Sequence, residues 1–171
     1  MIEVLYGPGV RISELVGLRL GDVDLESGLL RAFGKGSKER VVPLGRLAAA
    51  ALTAWLGPGG RPALVPTRWA RRGDAEAVFL NQRGGRLTRQ GAWLVVKHWG
   101  GGAGIGDKLT PHVLRHSCAT HMLDHGADLR AVQEMLGHAS VSTTQVYTKV
   151  STERLFAAYR AAHPRATFPH G

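Results

Sequence analysis

Leu29-Leu30-Arg31-Ala32-Phe33-Gly34-Lys35-Gly36-Ser37-Lys38-Glu39-Arg40-Val41-Val42-Pro43-Leu44 is the stretch that decides the fold. Two short apolar runs, 29–33 and 40–44, flank a Gly/Lys/Ser segment suited to a turn. The pattern predicts an antiparallel β-hairpin. Pro43 has no N–H to donate, so the second strand lies at an edge or ends there. Upstream, Ile2–Tyr6 reads as the end of a helix closed by Gly7-Pro8-Gly9, and Arg11–Leu18 has apolar residues at helical spacing. Downstream, alanine-rich Leu47–Leu56 is helical, and the Gly/Pro/Arg-rich segment Gly57–Ala75 is a loop.

Val78–Leu80 reads as a short third strand. Thr88 caps a helix that runs to Trp99 and is broken by Gly100-Gly101-Gly102. Thr110-Pro111 starts a helix that reaches about His125 and stops at Gly126, since a capping hydroxyl precedes proline at the first helical position. Asp128 caps the next helix, which closes at Gly137. A short helix is expected over 142–148 and a last one over Ser151–Ala162. The class is therefore α+β, mainly helical, with a small antiparallel hairpin or three-stranded sheet.

The 171 residues suit one domain with its own core. Apolar residues make up 44% and charged residues 20%, which excludes a wholly disordered chain. The longest apolar run, Leu47–Leu56, is interrupted by Thr53, while a membrane span needs about 20 residues. No basic stretch with an apolar core opens the chain, and Cys118 is the single cysteine, so a reducing cytoplasm is expected. Lys and Arg number 22 against 13 Asp and Glu, a net charge of +9. Such a balance favours a polyanionic partner. Two clusters concentrate it: 31–46 around the hairpin, and 61–97, where eight basic residues face two acids. Lys38, Arg40, Arg83, Arg86 and Arg89 are the candidate DNA contacts from these clusters.

His112 and Arg115 share a helix face three residues apart, in the first turn, where free N–H groups favour an anion. Arg11 and Glu14 are likewise three apart. His138 follows a helix end, and Tyr147 lies in a polar segment nine residues later. Each has an ordinary reading taken alone: solvated side chains, a local ion pair, a packed tyrosine.

In order, however, Gly9-Val10-Arg11-Ile12-Ser13-Glu14-Leu15, Gly34-Lys35-Gly36-Ser37-Lys38-Glu39-Arg40, Pro111-His112-Val113-Leu114-Arg115-His116, Leu136-Gly137-His138 and Thr144-Gln145-Val146-Tyr147 resemble the catalytic domain of tyrosine site-specific recombinases, the phage integrase family, and within it the Xer type. The tail from Ser151 through Ala166 is similar too. By this resemblance Arg11, Lys35, His112, Arg115 and His138 are catalytic and Tyr147 is the nucleophile. Glu14 and His116 support them.

The implied reaction suits these residue types. A phenol with a pKa near about 10 needs a base or neighbouring cations to attack. Arg11 and Arg115 would clamp the scissile phosphate, His138 would add a hydrogen bond, His112 would take the tyrosine proton, and Lys35 would protonate the leaving 5′ oxygen. The product is a 3′-phosphotyrosyl link that a second 5′ hydroxyl reverses. No cofactor and no metal are required.

The implied partners are a double-stranded recombination site and other copies or a paralogue. The expected assembly is a tetramer on DNA, joined by exchange of the helix and tail 151–171. A DNA translocase of cell division is a further implied partner. The implied roles are chromosome dimer resolution or mobile-element integration. Family members carry an N-terminal core-binding domain ahead of the first arginine. Residues 1–171 are therefore expected to be a single catalytic domain without it.

Three other readings stay open. His121 and His125 have an i, i+4 zinc spacing, though no Glu adjoins His121. The same tyrosine chemistry would serve a type IB topoisomerase. A fragment lacking the N-terminal domain would bind DNA without acting on it.

Overall fold

A computed structural model describes residues 1–34, 39–137 and 149–166. Helix α1 (Ile2–Tyr6) is followed by α2 (Ile12–Gly17) and a three-stranded antiparallel sheet of β1 (Val23–Asp24), β2 (Leu29–Phe33) and β3 (Glu39–Pro43). Five helices come next: α3 (Arg46–Leu56), α4 (Arg89–Gly102), α5 (Pro111–Asp124), α6 (Leu129–Leu136) and α7 (Lys149–Ala162).

The hairpin forms as its alternation requires. Leu29 pairs with Pro43 and Ala32 with Arg40. Leu30, Ala32 and Val42 are fully buried on one face. β3 is an edge strand and ends at Pro43, as a residue without an N–H demands. The third strand is not the expected one. Val23–Asp24 pairs with Leu30 and Leu29 on the far side of β2. Residues 78–80 stay outside the sheet: the Val78 N–H donates to the Leu18 carbonyl, and Leu80 makes one isolated bridge to Arg86. A run that short pairs with whichever backbone passes it.

The helix starts follow their caps. Thr110 Oγ1 accepts from the Val113 N–H, Asp128 from Ala131 and Thr88 from Gly91. The expected break at Gly100–Gly102 does not occur, because α4 continues to Gly102. A Cβ at Gly100 would lie 3.0 Å from the Leu109 Cβ and 3.1 Å from the Gly106 carbonyl oxygen. The close return of 106–109 thus favours glycine there, against a propensity cost of about 1 kcal/mol.

One core joins these elements, with Leu5, Leu15, Leu30, Val42, Met122 and Met135 at its centre. α7 packs against it in the same chain and buries Leu155, Tyr159 and Ala162. Phe156, expected on the same face, is only partly covered. No helix among the described residues is long and apolar enough to cross a membrane.

Candidate active site

Three successive carbonyls end α6, and each is taken by a different arginine. Arg40 Nε donates to Met135 at 2.8 Å, Arg115 Nη2 to Leu136 at 2.5 Å, and Arg11 Nη2 to Gly137 at 3.3 Å. A helix C-terminus leaves these oxygens unpaired and carries the negative end of the helix dipole, so cations gather there. Gly137 makes the arrangement possible. It closes α6 in the left-handed region, and a Cβ on it would sit 3.1 Å from the Arg40 Cδ.

Glu14 lies in the middle, 3% exposed. Its Oε2 accepts from the Arg11 N–H at 2.7 Å and from Arg40 Nη2 at 2.8 Å. Its Oε1 accepts from Arg11 Nη1 at 3.1 Å and from Arg40 Nη1. Burial alone would raise its pKa, but the hydrogen bonds and charges of Arg40 and Arg11 hold it below the ordinary carboxylate range. The carboxylate caps the first turn of α2 and fixes the Arg11 side chain in one stroke.

Arg115, 8% exposed, rises from the second turn of α5. Its Nη1 donates to the Gly9 carbonyl. Gly9 has φ +61°, and a Cβ there would lie 2.7 Å from Leu136 Cδ2, so only glycine brings that carbonyl so close. Burial, then the charges of Arg11 and Arg40, bring the Arg115 pKa down to about 10. Arg11 is the accessible member, with its side chain 41% exposed. His112 and His116 are exposed on α5. Lys35, His138 and Tyr147 lie outside the described residues.

The expected DNA contacts divide. Arg83 and Arg89 are exposed, Arg83 in the turn held by Asn81 Oδ1 and Arg89 at the first position of α4. Arg86 is half-buried and clips the end of α2 to the loop, through Val16 and Gly17 carbonyls at 3.0 Å and Gly73 at 3.1 Å. Lys38 lies outside the described residues. Arg40 is a correction. It is 4% exposed, and Nε, Nη1 and Nη2 all bond within the chain, so it faces the interior rather than a DNA backbone. The period-2 alternation of β3 carried the signal, since Arg40 precedes buried Val42 by two residues and shares its face.

His121 and His125 have separate duties. The His121 Nδ1 meets the Tyr6 hydroxyl at 2.7 Å, and the His125 Nδ1 lies 2.6 Å from the His121 carbonyl oxygen. No group of three or more His, Cys, Asp or Glu gathers to hold a metal among the described residues.

Comparison with known proteins extends this geometry. Residues 1–154 match the model of the phage integrase family. The chain is 51% identical over 166 residues to the tyrosine recombinase XerD of Bifidobacterium longum, covering 97% of this chain and 54% of that protein. It is 52% identical to the XerD of Proteus mirabilis, covering 96% and 51%. The chain thus spans about half the length of the curated relatives it matches. Among solved structures, the XerA recombinase superposes with a TM-score of 0.70 at 31% identity over 92% of this chain and 56% of that one. The XerH recombinase in its pre-cleavage complex with difH substrate gives 0.66 at 33%, over 93% and 44%.

Proposed function

The chain belongs to the phage integrase family, and from that premise we propose that it carries the DNA-cleaving and rejoining chemistry of an Xer-type site-specific recombinase. The observation that carries the reading is a charge balance. Three guanidiniums gather at the end of α6 with one carboxylate, which pairs with Arg11 and Arg40 and leaves the buried Arg115 without an anionic partner of its own among the described residues. Desolvated like charges cost free energy unless an anion joins them. A phosphodiester of double-stranded DNA supplies that anion, and the planar forks of Arg11 and Arg115 suit its non-bridging oxygens.

On this reading Arg11 and Arg115 stabilise the charge that builds on the phosphorane. Tyr147 attacks the phosphorus, His112 accepts its proton, His138 adds a hydrogen bond, and Lys35 gives a proton to the departing 5′ oxygen. The P–O5′ bond breaks as the P–O(Tyr) bond forms. Bond energy is kept in the 3′-phosphotyrosyl link for rejoining, with no nucleotide consumed. Glu14 keeps Arg11 aimed, and His116 supports from the exposed side of α5. Arg83 and Arg89, exposed on the same chain, hold the flanking backbone.

Residues 1–171 act here as one catalytic domain, and copies meet on DNA through the segment 151–171, in a tetramer that a cell-division translocase could activate. Exchange requires α7 to leave the seat it holds against its own core.

The direct test uses a pool of duplexes, each nicked beside a randomised core, incubated with the protein and resolved under denaturing conditions. A DNA-linked band should form with the parent and vanish with Tyr147→Phe. An adduct that persists in Tyr147→Phe overturns the proposal.

A further inference from the structure

We propose that Arg40 is a positioning residue: it seats Glu14 and the end of α6 so that Arg11 and Arg115 face one phosphate together. The inference rests on the recombinase reading for the identity of that phosphate. Its geometry stands independently. Arg40 reaches in from β3, its side chain 5% exposed, and divides its donors between two clients. Nη1 and Nη2 grip both oxygens of Glu14, the residue that also holds the Arg11 backbone and side chain. Nε grips the Met135 carbonyl, next to the carbonyls that hold Arg115 and Arg11. One guanidinium therefore touches the supports of both phosphate arginines and belongs to neither helix that carries them. Because β3 is half of the hairpin, the same contact joins the hairpin to the arginine cluster.

A simpler role would be charge alone. Arg40 adds one positive charge near the phosphate, and any cation would serve. A purely structural role would be a buried ion pair that neutral side chains of similar volume replace without loss. The double substitution Glu14→Gln with Arg40→Met separates all three. It removes one charge of each sign, so the net charge of the cluster is unchanged. It also spares the fold an unpaired buried ion. What it removes is the fork on Glu14, the grip on Met135 and part of the hold of Glu14 on Arg11, so Arg40→Lys, which leaves Glu14 in place, isolates the share that belongs to Arg40. Arg40→Lys is the conservative counterpart: it keeps the charge and loses the two-pronged geometry.

The experiment measures sulfate binding through the guanidinium Nε–H resonances of Arg11 and Arg115, with thermal unfolding as the check on folding. Sulfate is chosen because it does not titrate between pH 5 and 8. Adduct formation on nicked DNA is followed alongside. The double variant should unfold within a few degrees of the parent, bind sulfate at least tenfold more weakly, and form the adduct at least a hundredfold more slowly. Arg40→Lys should fall between, with a slower cleavage step and little change in DNA affinity. Sulfate affinity and cleavage in the double variant within twofold of the parent would overturn the proposal. Should the double variant fail to fold, Arg40→Lys decides, since full activity there means that charge alone suffices. If the parent itself forms no adduct, the recombinase reading fails, and the sulfate comparison still decides the role of Arg40.

Discussion

Two polar clusters among the described residues treat charge in opposite ways. At the end of α6, Glu14 pairs with Arg11 and Arg40, and Arg11, Arg40 and Arg115 each donate to a carbonyl that closes the helix. Where α7 meets the core, His163 stacks on Tyr159 with centroids 4.6 Å apart and makes a tilted contact with Tyr6 at 5.0 Å. There the charge is suppressed. Burial brings the His163 pKa down to about 4, and its Nδ1 accepts the Arg165 N–H at 3.0 Å, which fixes a neutral ring with the proton on Nε2. The first cluster keeps an excess of positive charge that a ligand can use. The second fastens a helix to the core and offers a ligand no charge.

The contrast is broken most severely by removing the shared carboxylate. Glu14→Ala leaves Arg40 buried without its anion, and stability should fall by about 3–5 kcal/mol, read from the urea midpoint. Glu14→Gln should cost less, because one acceptor oxygen remains. A loss under 1 kcal/mol in Glu14→Ala would mean that the cluster is held by α6 carbonyls alone.

A smaller effect is expected from Gly9→Ala. The left-handed φ and the 2.7 Å approach to Leu136 Cδ2 together should cost roughly 2 kcal/mol and draw the Gly9 carbonyl away from Arg115. The same urea series measures it. Gly28→Ala, with φ +66° and open space around its Cβ, isolates the backbone part.

The ring cluster sharpens the contrast through pH. His163 titrates at 6.5 in the unfolded chain and near 4 when folded. Its contribution is therefore complete above pH 6.5 and is lost as pH falls toward 4, at up to about 1.4 kcal/mol per pH unit. Glu14 is also depressed, but from 4.5, so its contribution is lost only below that value. Between pH 6.5 and 4.5 only the ring cluster should weaken. His163→Asn should flatten the stability profile in that window and leave the acid limb below 4.5 in place.

Much of this molecule is legible in its residues. The hairpin follows from two apolar runs around a turn segment, and α5 and α6 start and stop where Thr110, Asp128 and Gly137 say they should. The quoted motifs placed Arg11, Glu14 and Arg115 in one site, and the three meet around the end of α6. Arg40 was obscured by its own charge: a basic residue in a basic cluster reads as surface, although its alternation with Val42 puts it inside. Gly100–Gly102 reads as a helix break because propensity is local, and the approach of Leu109 that favours glycine there is a tertiary fact. Val78–Leu80 reads as the third strand because β-branched and aromatic residues predict strands. Val23–Asp24, only two residues long, pairs because it folds straight back onto β2.

The most direct measurement of the central claim is to follow every arginine Nε–H of the protein while nicked duplex DNA is added. The account predicts that Arg11 and Arg115 shift most, that Arg83 and Arg89 shift to a lesser degree, and that Arg40, sealed against Glu14 and Met135, moves only as they move. Shifts confined to Arg83 and Arg89, with Arg11 and Arg115 unchanged at saturation, would mean that the phosphate does not enter the cluster at α6 and would contradict it.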